Sequence, residues 1–233
     1  MEIDAAALKS RGFFQQVQKD KFSLRICSSG GTADTAFLKK AIEIADRYGG
    51  GQIHFTTRQQ VEIPHIAAEN VEAVQRLLSD YGINTFTGGP RVRTVAACVG
   101  AAVCKFGQIE TYGLAKEIHS KYFGRELPAK LKIALTGCKN NCAKVEANDI
   151  GVRGVNHGYQ MYFGGCFGHE TRIGKPLLPV LAEKETVLKV IESAVTFFAG
   201  NAAKGERLGK LLERIGTDQF KKTLETAAQV PGS

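Results

Sequence analysis

A β-α-β-β-α-β unit, then a glycine-rich region carrying most of the cysteines, then closing helices is the architecture this 233-residue sequence predicts. Three observations carry that expectation. Strand and helix periodicities alternate through the first third, glycine clusters fall where those periodicities stop, and a helical apolar repeat returns after Lys184. Phe22 to Ile26 has a strand pattern closed by Ser28-Ser29-Gly30-Gly31, after which Thr32 is placed to cap a helix running to about Tyr48. Gly49-Gly50-Gly51 ends that helix. Gln52 to Phe55 and Val61 to His65 supply two further strands. Val71, Val74, Leu77 and Leu78 mark a helix from Val71 to Tyr81, and Ile83 to Phe86 is a last strand. This order is the split βαβ, ferredoxin-like arrangement.

Thr87-Gly88-Gly89-Pro90 is a turn cluster suited to a domain boundary. Beyond it, strands are expected at Lys132 to Leu135, near Ile150 to Val152 and at Tyr159 to Phe163, the last leading into the loop Gly164-Gly165-Cys166-Phe167-Gly168. From Lys184 onward, Val187, Val190, Ile191, Ala194 and Val195 share one helical face. A polar break follows, and then a second amphipathic helix from Arg207 to about Ala227. No internal repeat is visible.

The net charge of +8 and pI near 9.2 suit a polyanion, an acidic protein or an anionic cofactor. Met1-Glu2-Ile3-Asp4 is acidic and no segment approaches about 18 uninterrupted apolar residues, so the expectation is a cytoplasmic protein without membrane spans. In that compartment six cysteines point to metal ligation or free thiols more than to disulfides. Their spacing is the informative part: Cys98-x5-Cys104 and Cys138-x3-Cys142 form two close pairs. A structural zinc site usually has two residues inside each pair, so the wider spacing favours an iron–sulfur cluster. Small neighbours on both sides, Ala96-Ala97 and Gly100-Ala101-Ala102 around the first pair and Thr136-Gly137 and Ala143 around the second, let backbone approach a bulky inorganic core. His54, His65, His119, His157 and His169 show no ligand spacing, and Cys166 reads as a spare thiol. No G-x-G-x-x-G stands between a strand and a helix, so electrons for any redox chemistry come from another protein. A zinc-dependent nucleic-acid binder is disfavoured, because aromatic stacking motifs and knuckle spacing are both missing.

Taken together, Cys98-x5-Cys104, Thr136-Gly137-Cys138-x3-Cys142, Thr56-Thr57-Arg58-Gln59, Leu127-Pro128-Ala129-Lys130-Leu131-Lys132 and Gly164-Gly165 resemble the motifs of the sirohaem-dependent sulfite and nitrite reductases, including their small single-unit members. The matches run in the family's order from about Phe22 to Lys175. The resemblance implies an α+β fold: a ferredoxin-like half-domain with an N-terminal extension over residues 1–87, and a cluster and sirohaem domain with C-terminal helices over 88–233. It implies six-electron reduction of sulfite to sulfide, with nitrite reduction to ammonia as the nearest alternative. An iron–sulfur electron carrier or redox sensor is the alternative of another class, disfavoured because a carrier needs no anion pocket.

By the same resemblance, Cys98, Cys104, Cys138 and Cys142 hold a 4Fe–4S cluster, and Cys142 also ligates the sirohaem iron. Asn140 matches the polar position of the cluster loop. Arg58, Lys130 and Lys132 match the distal basic residues that bind the oxyanion and route protons. Where the family carries a second arginine at the end of its first strand, this sequence has Cys27. Arg25 lies on the same strand face, roughly 6 to 7 Å along the chain, placed to take over part of that charge or to bind a haem carboxylate. Arg91, Arg93, Lys139, Lys144, Arg153 and Arg172 are candidates for the haem carboxylates. The expected donor is an acidic ferredoxin or flavodoxin, or a reductase subunit. Larger relatives carry two copies of the unit, one supplying the cysteines and the other most of the distal cations. A single copy with both sets points to a homodimer in which Arg58, Lys130 and Lys132 of one chain face the haem of the other, with a monomer that closes its site internally as the alternative.

Overall fold

Burial alternates residue by residue along one strand, and that alternation organises the first part of the chain. Phe22, Leu24 and Ile26 are fully buried while Lys21, Ser23 and Arg25 face outward, as a strand with one covered face requires. The computed structural model describes residues 4–85 and 88–229, and it divides into two units, Met1–Gly89 and Pro90–Ser233.

The first unit runs α1 (Ala5–Ser10), β1 (Phe13–Gln15), β2 (Lys21–Ile26), α2 (Thr35–Tyr48), β3 (His54–Phe55), β4 (Val61–Ala67) and α3 (Val71–Asp80). Its antiparallel sheet has the order β1-β2-β4-β3. Phe13, Phe22, Leu24, Ile26, Val61, Ile63 and Ile66 pack against Ala41, Ile44 and Ala45 of α2 and Val71, Val74 and Leu78 of α3. Three expectations need correction. Helix α2 is capped by Asp34, whose carboxylate accepts the Phe37 N–H at 2.7 Å, while Thr32 remains extended. The strand expected from Gln52 is confined to His54–Phe55. The strand expected at Ile83 to Phe86 contracts to a bridge between Thr85 and Ile26, because β1 already occupies most of that edge of β2; Phe86 and Thr87 lie outside the described residues.

The second unit runs β5 (Ala96–Ala97), α4 (Tyr112–Tyr122), β6 (Ile133–Thr136), β7 (Ile150–Val155), β8 (Gly158–Phe163), β9 (Lys175–Pro176), α5 (Lys184–Asn201), α6 (Leu208–Ile215) and α7 (Asp218–Ala228). The sheet order is β5-β6-β7-β8-β9; the first three strands are parallel and the last two antiparallel additions. The C-terminal helices close over this sheet. Phe220 of α7 meets Phe163 of β8 edge-on at 5.4 Å and Phe197 of α5 at 5.1 Å. The single helix expected from Arg207 to Ala227 is two, because Gly216 turns left-handed (φ +79°) and breaks it. Among the described residues no helix is long and apolar enough to cross a membrane.

Candidate functional site

Adjacent parallel strands bring Cys98 and Cys138 to the same end of the second sheet, with Cys104 and Cys142 in the loops that follow. β5 and β6 pair in register through Ala96–Ala134 and Ala97–Leu135, so Cys98 leaves β5 beside the point where Gly137-Cys138 leaves β6. The Cys98 N–H donates to the Leu135 carbonyl at 3.1 Å. A 3-10 turn at Gly100–Ala102 folds the chain back, with the Cys104 N–H on the Gly100 carbonyl at 2.8 Å, and the Gln108 N–H then reaches the Gly137 carbonyl at 2.7 Å. Backbone packs on backbone here. A Cβ at Gly137 would lie 2.8 Å from Gly100 Cα, and one at Gly154 would lie 2.4 Å from the Gly137 carbonyl oxygen.

Cys98 is fixed on every side. Its carbonyl accepts the Thr111 hydroxyl at 2.5 Å, and its Sγ accepts the Gly137 N–H at 3.0 Å and the Thr136 hydroxyl at 3.6 Å. The second pair sits on a loop held from within: Asn141 Oδ1 accepts the Val145 N–H at 2.9 Å and its Nδ2 donates to the Glu146 carboxylate. Glu146 is in turn paired with Arg153 at 2.6 Å, and that guanidinium lies over the Tyr162 ring at 4.6 Å. Asn141 (φ +54°) and Lys144 (φ +49°) bracket Cys142 in left-handed conformations. Cys138 is buried, Cys98 and Cys104 are half-buried, and Cys142 is exposed. Exposure of a thiol is unusual for this residue type. Lys139, Asn140 and Lys144 beside it are exposed, and neither lysine enters an ion pair among the described residues.

Among the described residues no three His, Cys, Asp or Glu side chains gather around one ion position. Four thiols stand on two interlocked loops, with the Gly137 N–H and the Thr136 hydroxyl aimed at Cys98 Sγ. That set fits a cluster whose irons each take a thiolate and whose sulfurs accept hydrogen bonds.

In the first unit the structure brings Cys27 and Arg58 to neighbouring turns. The Ser28 hydroxyl donates to the Gln59 carbonyl at 2.6 Å and the Ser28 N–H to Gln60 Oε1 at 3.1 Å, docking the Thr56–Gln60 turn on the end of β2. Burial pushes the Cys27 thiol well above its ordinary value, so it stays protonated. Arg25 shares the outward face with Cys27, as the strand alternation requires, but its charge is already engaged. It pairs with Glu62 at 2.7 Å and stacks over Phe14 at 4.4 Å. Partial burial acts to raise the Glu62 carboxyl, and its contacts with His54 and Arg25 outweigh that, holding it below the usual range.

In the second unit Lys130 is exposed and Lys132 half-buried, both just before β6, whereas Cys138 follows its far end. The four strand residues between them span roughly 13 Å. Of the arginines considered for haem carboxylates, Arg91 pairs with Glu126 at 2.5 Å, Arg153 with Glu146, and Arg172 with Glu170 at 2.6 Å and Glu213 at 2.8 Å. Arg93 is half-buried and its N–H bonds the Leu131 carbonyl. Cys166 is buried against Arg207, its Sγ 3.4 Å from Nη1. No local sequence signal marks Thr111, whose hydroxyl holds the Cys98 carbonyl, or Asn141, whose side chain closes the second loop.

Two family models match this chain. Residues 88–231 match the nitrite and sulphite reductase 4Fe-4S domain, and residues 14–81 match the nitrite/sulfite reductase ferredoxin-like half domain. An assimilatory-type sulfite reductase of Nitratidesulfovibrio vulgaris is 28% identical over 211 residues, which cover 89% of this chain and 95% of that protein. The NAD(P)H nitrite reductase of Bacillus subtilis is 29% identical over 209 residues, 89% of this chain but only 26% of the relative. The chain therefore spans about a quarter of that protein's length. Among solved structures, the NirA protein of Mycobacterium tuberculosis superposes with a TM-score of 0.83 at 22% identity, covering 97% of this chain and 47% of that one. A dissimilatory sulfite reductase I follows at 0.78 and 16%, covering 91% and 70%. At these identities the likeness establishes the fold.

Proposed function

Because the chain belongs to the nitrite and sulphite reductase family, we propose that it is an oxidoreductase that reduces sulfite, with nitrite as the alternative substrate, using a 4Fe–4S cluster and sirohaem. The observation that carries this reading is the state of the four cysteines. The two loops that carry them leave adjacent strands and pack backbone on backbone, and of the four Cys142 alone is exposed, with Lys139 and Lys144, unpaired among the described residues, near it in the same loop. An exposed cysteine beside two cations suits an anionic, carboxylate-rimmed cofactor.

Cys98, Cys104, Cys138 and Cys142 would hold the cluster, and Cys142 would also bind the sirohaem iron. When bound, the coupled pair supplies electrons to the oxyanion. Lys139 and Lys144, with Asn140 between Cys138 and Cys142, are better placed for haem carboxylates than Arg91, Arg153 or Arg172, whose charges are spent on glutamates. Arg58, Lys130 and Lys132 would bind the substrate anion and hold protons where S–O or N–O bonds break. Arg25, neutralised by Glu62, contributes little net charge to that task. Electrons would come from an external protein donor, to which a chain of net charge +8 presents complementary charge if the donor is acidic.

Placement of Lys130 and Lys132 at the opposite end of β6 from Cys138 supports a homodimer in which the lysines of one chain serve the haem of the other. The test is the anaerobic visible spectrum of the purified protein, with iron, sulfide and extracted tetrapyrrole quantified, before and after anion addition. The expected result is sirohaem bands that shift with sulfite or nitrite. A cluster spectrum without tetrapyrrole, persisting when sirohaem supply is ample, would move the protein to the electron carriers.

A second expectation concerns the cluster alone. The Thr136 hydroxyl and Gly137 N–H stabilise charge on Cys98 Sγ, and such donors raise cluster potentials. Thr136→Val should lower the midpoint potential in an EPR-monitored titration, and Thr136→Ser should restore it.

A further inference from the structure

We propose that the buried Asp149–Arg207 pair is a positioning element for Lys132, fixing where that lysine's side chain leaves the backbone and so setting the affinity of the site for its oxyanion. The inference rests on the reading of Lys132 as an anion-binding residue.

Asp149 is wholly buried. Its two carboxylate oxygens accept Arg207 Nε at 3.0 Å and Nη2 at 2.6 Å, a bidentate pair, and the same Oδ2 accepts the Lys132 N–H at 2.7 Å. On the other side, the Lys132 carbonyl accepts the Ile150 N–H at 3.1 Å. Lys132 stands one residue outside β6, where its N–H has left the strand ladder, and the Asp149 side chain supplies the acceptor. The peptide groups on both sides of its Cα are thereby tied to residues 149 and 150.

Stability does not account for this pair. Arg207 immediately precedes α6, and a cation at that end opposes the helix dipole, so the helix gains nothing from it. Replacing a buried ion pair by well-packed apolar residues of similar volume often costs no stability. What an apolar pair cannot provide is an acceptor for the Lys132 N–H. Arg207 holds that acceptor in one orientation, because its fork fixes both oxygens and its remaining arm is anchored on Cys166 Sγ at 3.4 Å. Since the contact runs through backbone, the effect on chemistry must pass through the Lys132 side chain and vanish when that side chain is removed.

The experiment is a double-mutant cycle on the holoprotein. The apparent dissociation constant for sulfite is read from the anion-induced shift of the visible spectrum, without turnover, and melting temperature is recorded for each variant. Lys132→Met and the apolar pair Asp149→Leu/Arg207→Met should each weaken sulfite binding by about tenfold. Combined, they should weaken it no more than Lys132→Met alone. The amide pair Asp149→Asn/Arg207→Gln, which keeps an acceptor, should bind sulfite nearly as the unaltered protein does. Equal losses from the apolar pair with and without Lys132, or no loss from it when Lys132→Met does weaken binding, overturn the positioning role. If Lys132→Met leaves sulfite binding unchanged, the anion-site reading of that lysine falls and the inference falls with it. Should the apolar pair not fold, hydrogen exchange in the unaltered holoprotein decides: the Lys132 amide should be protected like the β6 amides, and exchange at the rate of an exposed loop overturns the proposal.

Discussion

Gly100→Ala is expected to yield a protein that folds its helices but retains little or no iron and acid-labile sulfide. Gly100 lies inside the Cys98–Cys104 loop at φ +57°, and a Cβ there would stand 2.3 Å from Thr111 Oγ1 and 2.9 Å from the Ile109 carbonyl oxygen. The left-handed conformation costs an alanine about 1–2 kcal/mol, and forcing a methyl into packed surroundings costs about 1–3 kcal/mol more. The consequence for the site is more specific than the total. To admit the methyl, Thr111 must withdraw, and its hydroxyl is what holds the Cys98 carbonyl. Gly50→Ala is the matched comparison, because Gly50 is also left-handed (φ +64°) but a Cβ there meets nothing within 4 Å. It should lower the denaturant midpoint slightly and leave the cluster intact. Equal iron and sulfide content in the two variants would sink the idea that close backbone approach at Gly100 shapes the cysteine loop.

Cys142→Ala is expected to abolish anion reduction outright, with loss of tetrapyrrole and loss or degradation of the cluster. Of the four cysteines it is the exposed one, bracketed by left-handed Asn141 and Lys144 and flanked by the cationic side chains of Lys139 and Lys144. Its more informative use is in mixtures. A Cys142→Ala chain keeps its lysines, and a Lys130→Met/Lys132→Met chain keeps its cysteines. If each centre draws its cluster from one chain and its lysines from the other, random exchange makes half of the dimers mixed, and each mixed dimer has one complete centre. About a quarter of the unaltered activity should return. No recovery after demonstrated subunit exchange would place lysines and cysteines of each centre in the same chain.

How much of this was readable in the sequence follows from the range of the interactions. Strands β2, β4 and β8 and helices α2, α3 and α5 were legible because each buries one regular face against a large core. Strand β1 was not, having three residues, too few to show an alternation. Nor was α4, which opens Tyr112-Gly113 with weak helix formers and whose first N–H groups are met by the Glu110 carboxylate at 2.6 and 2.8 Å. The Thr32 cap was displaced by Asp34, a stronger capping residue two positions on. In the site, cysteine spacing is a local signal and was readable. The groups around it are joined across the chain, Thr111 to Cys98 over 13 residues, Asp149 to Lys132 over 17 and Arg207 to Asp149 over 58, and no sequence period links such pairs. The charge state of Arg25 was hidden for the same reason, since Glu62 reaches it from another strand, 37 residues away.

Strand β6 carries lysines before its first residue and a cysteine after its last. In a symmetric pair of chains, that one stretch of backbone would belong to two centres at once and would be encoded only once. A duplicated and fused descendant escapes this constraint: one copy can keep the lysine end of the strand and let the cysteine end drift, while the other does the reverse. A symmetric pair would have no such freedom. Each change along β6 would enter both of its centres simultaneously, which would make this the stretch where inherited variation is scarcest.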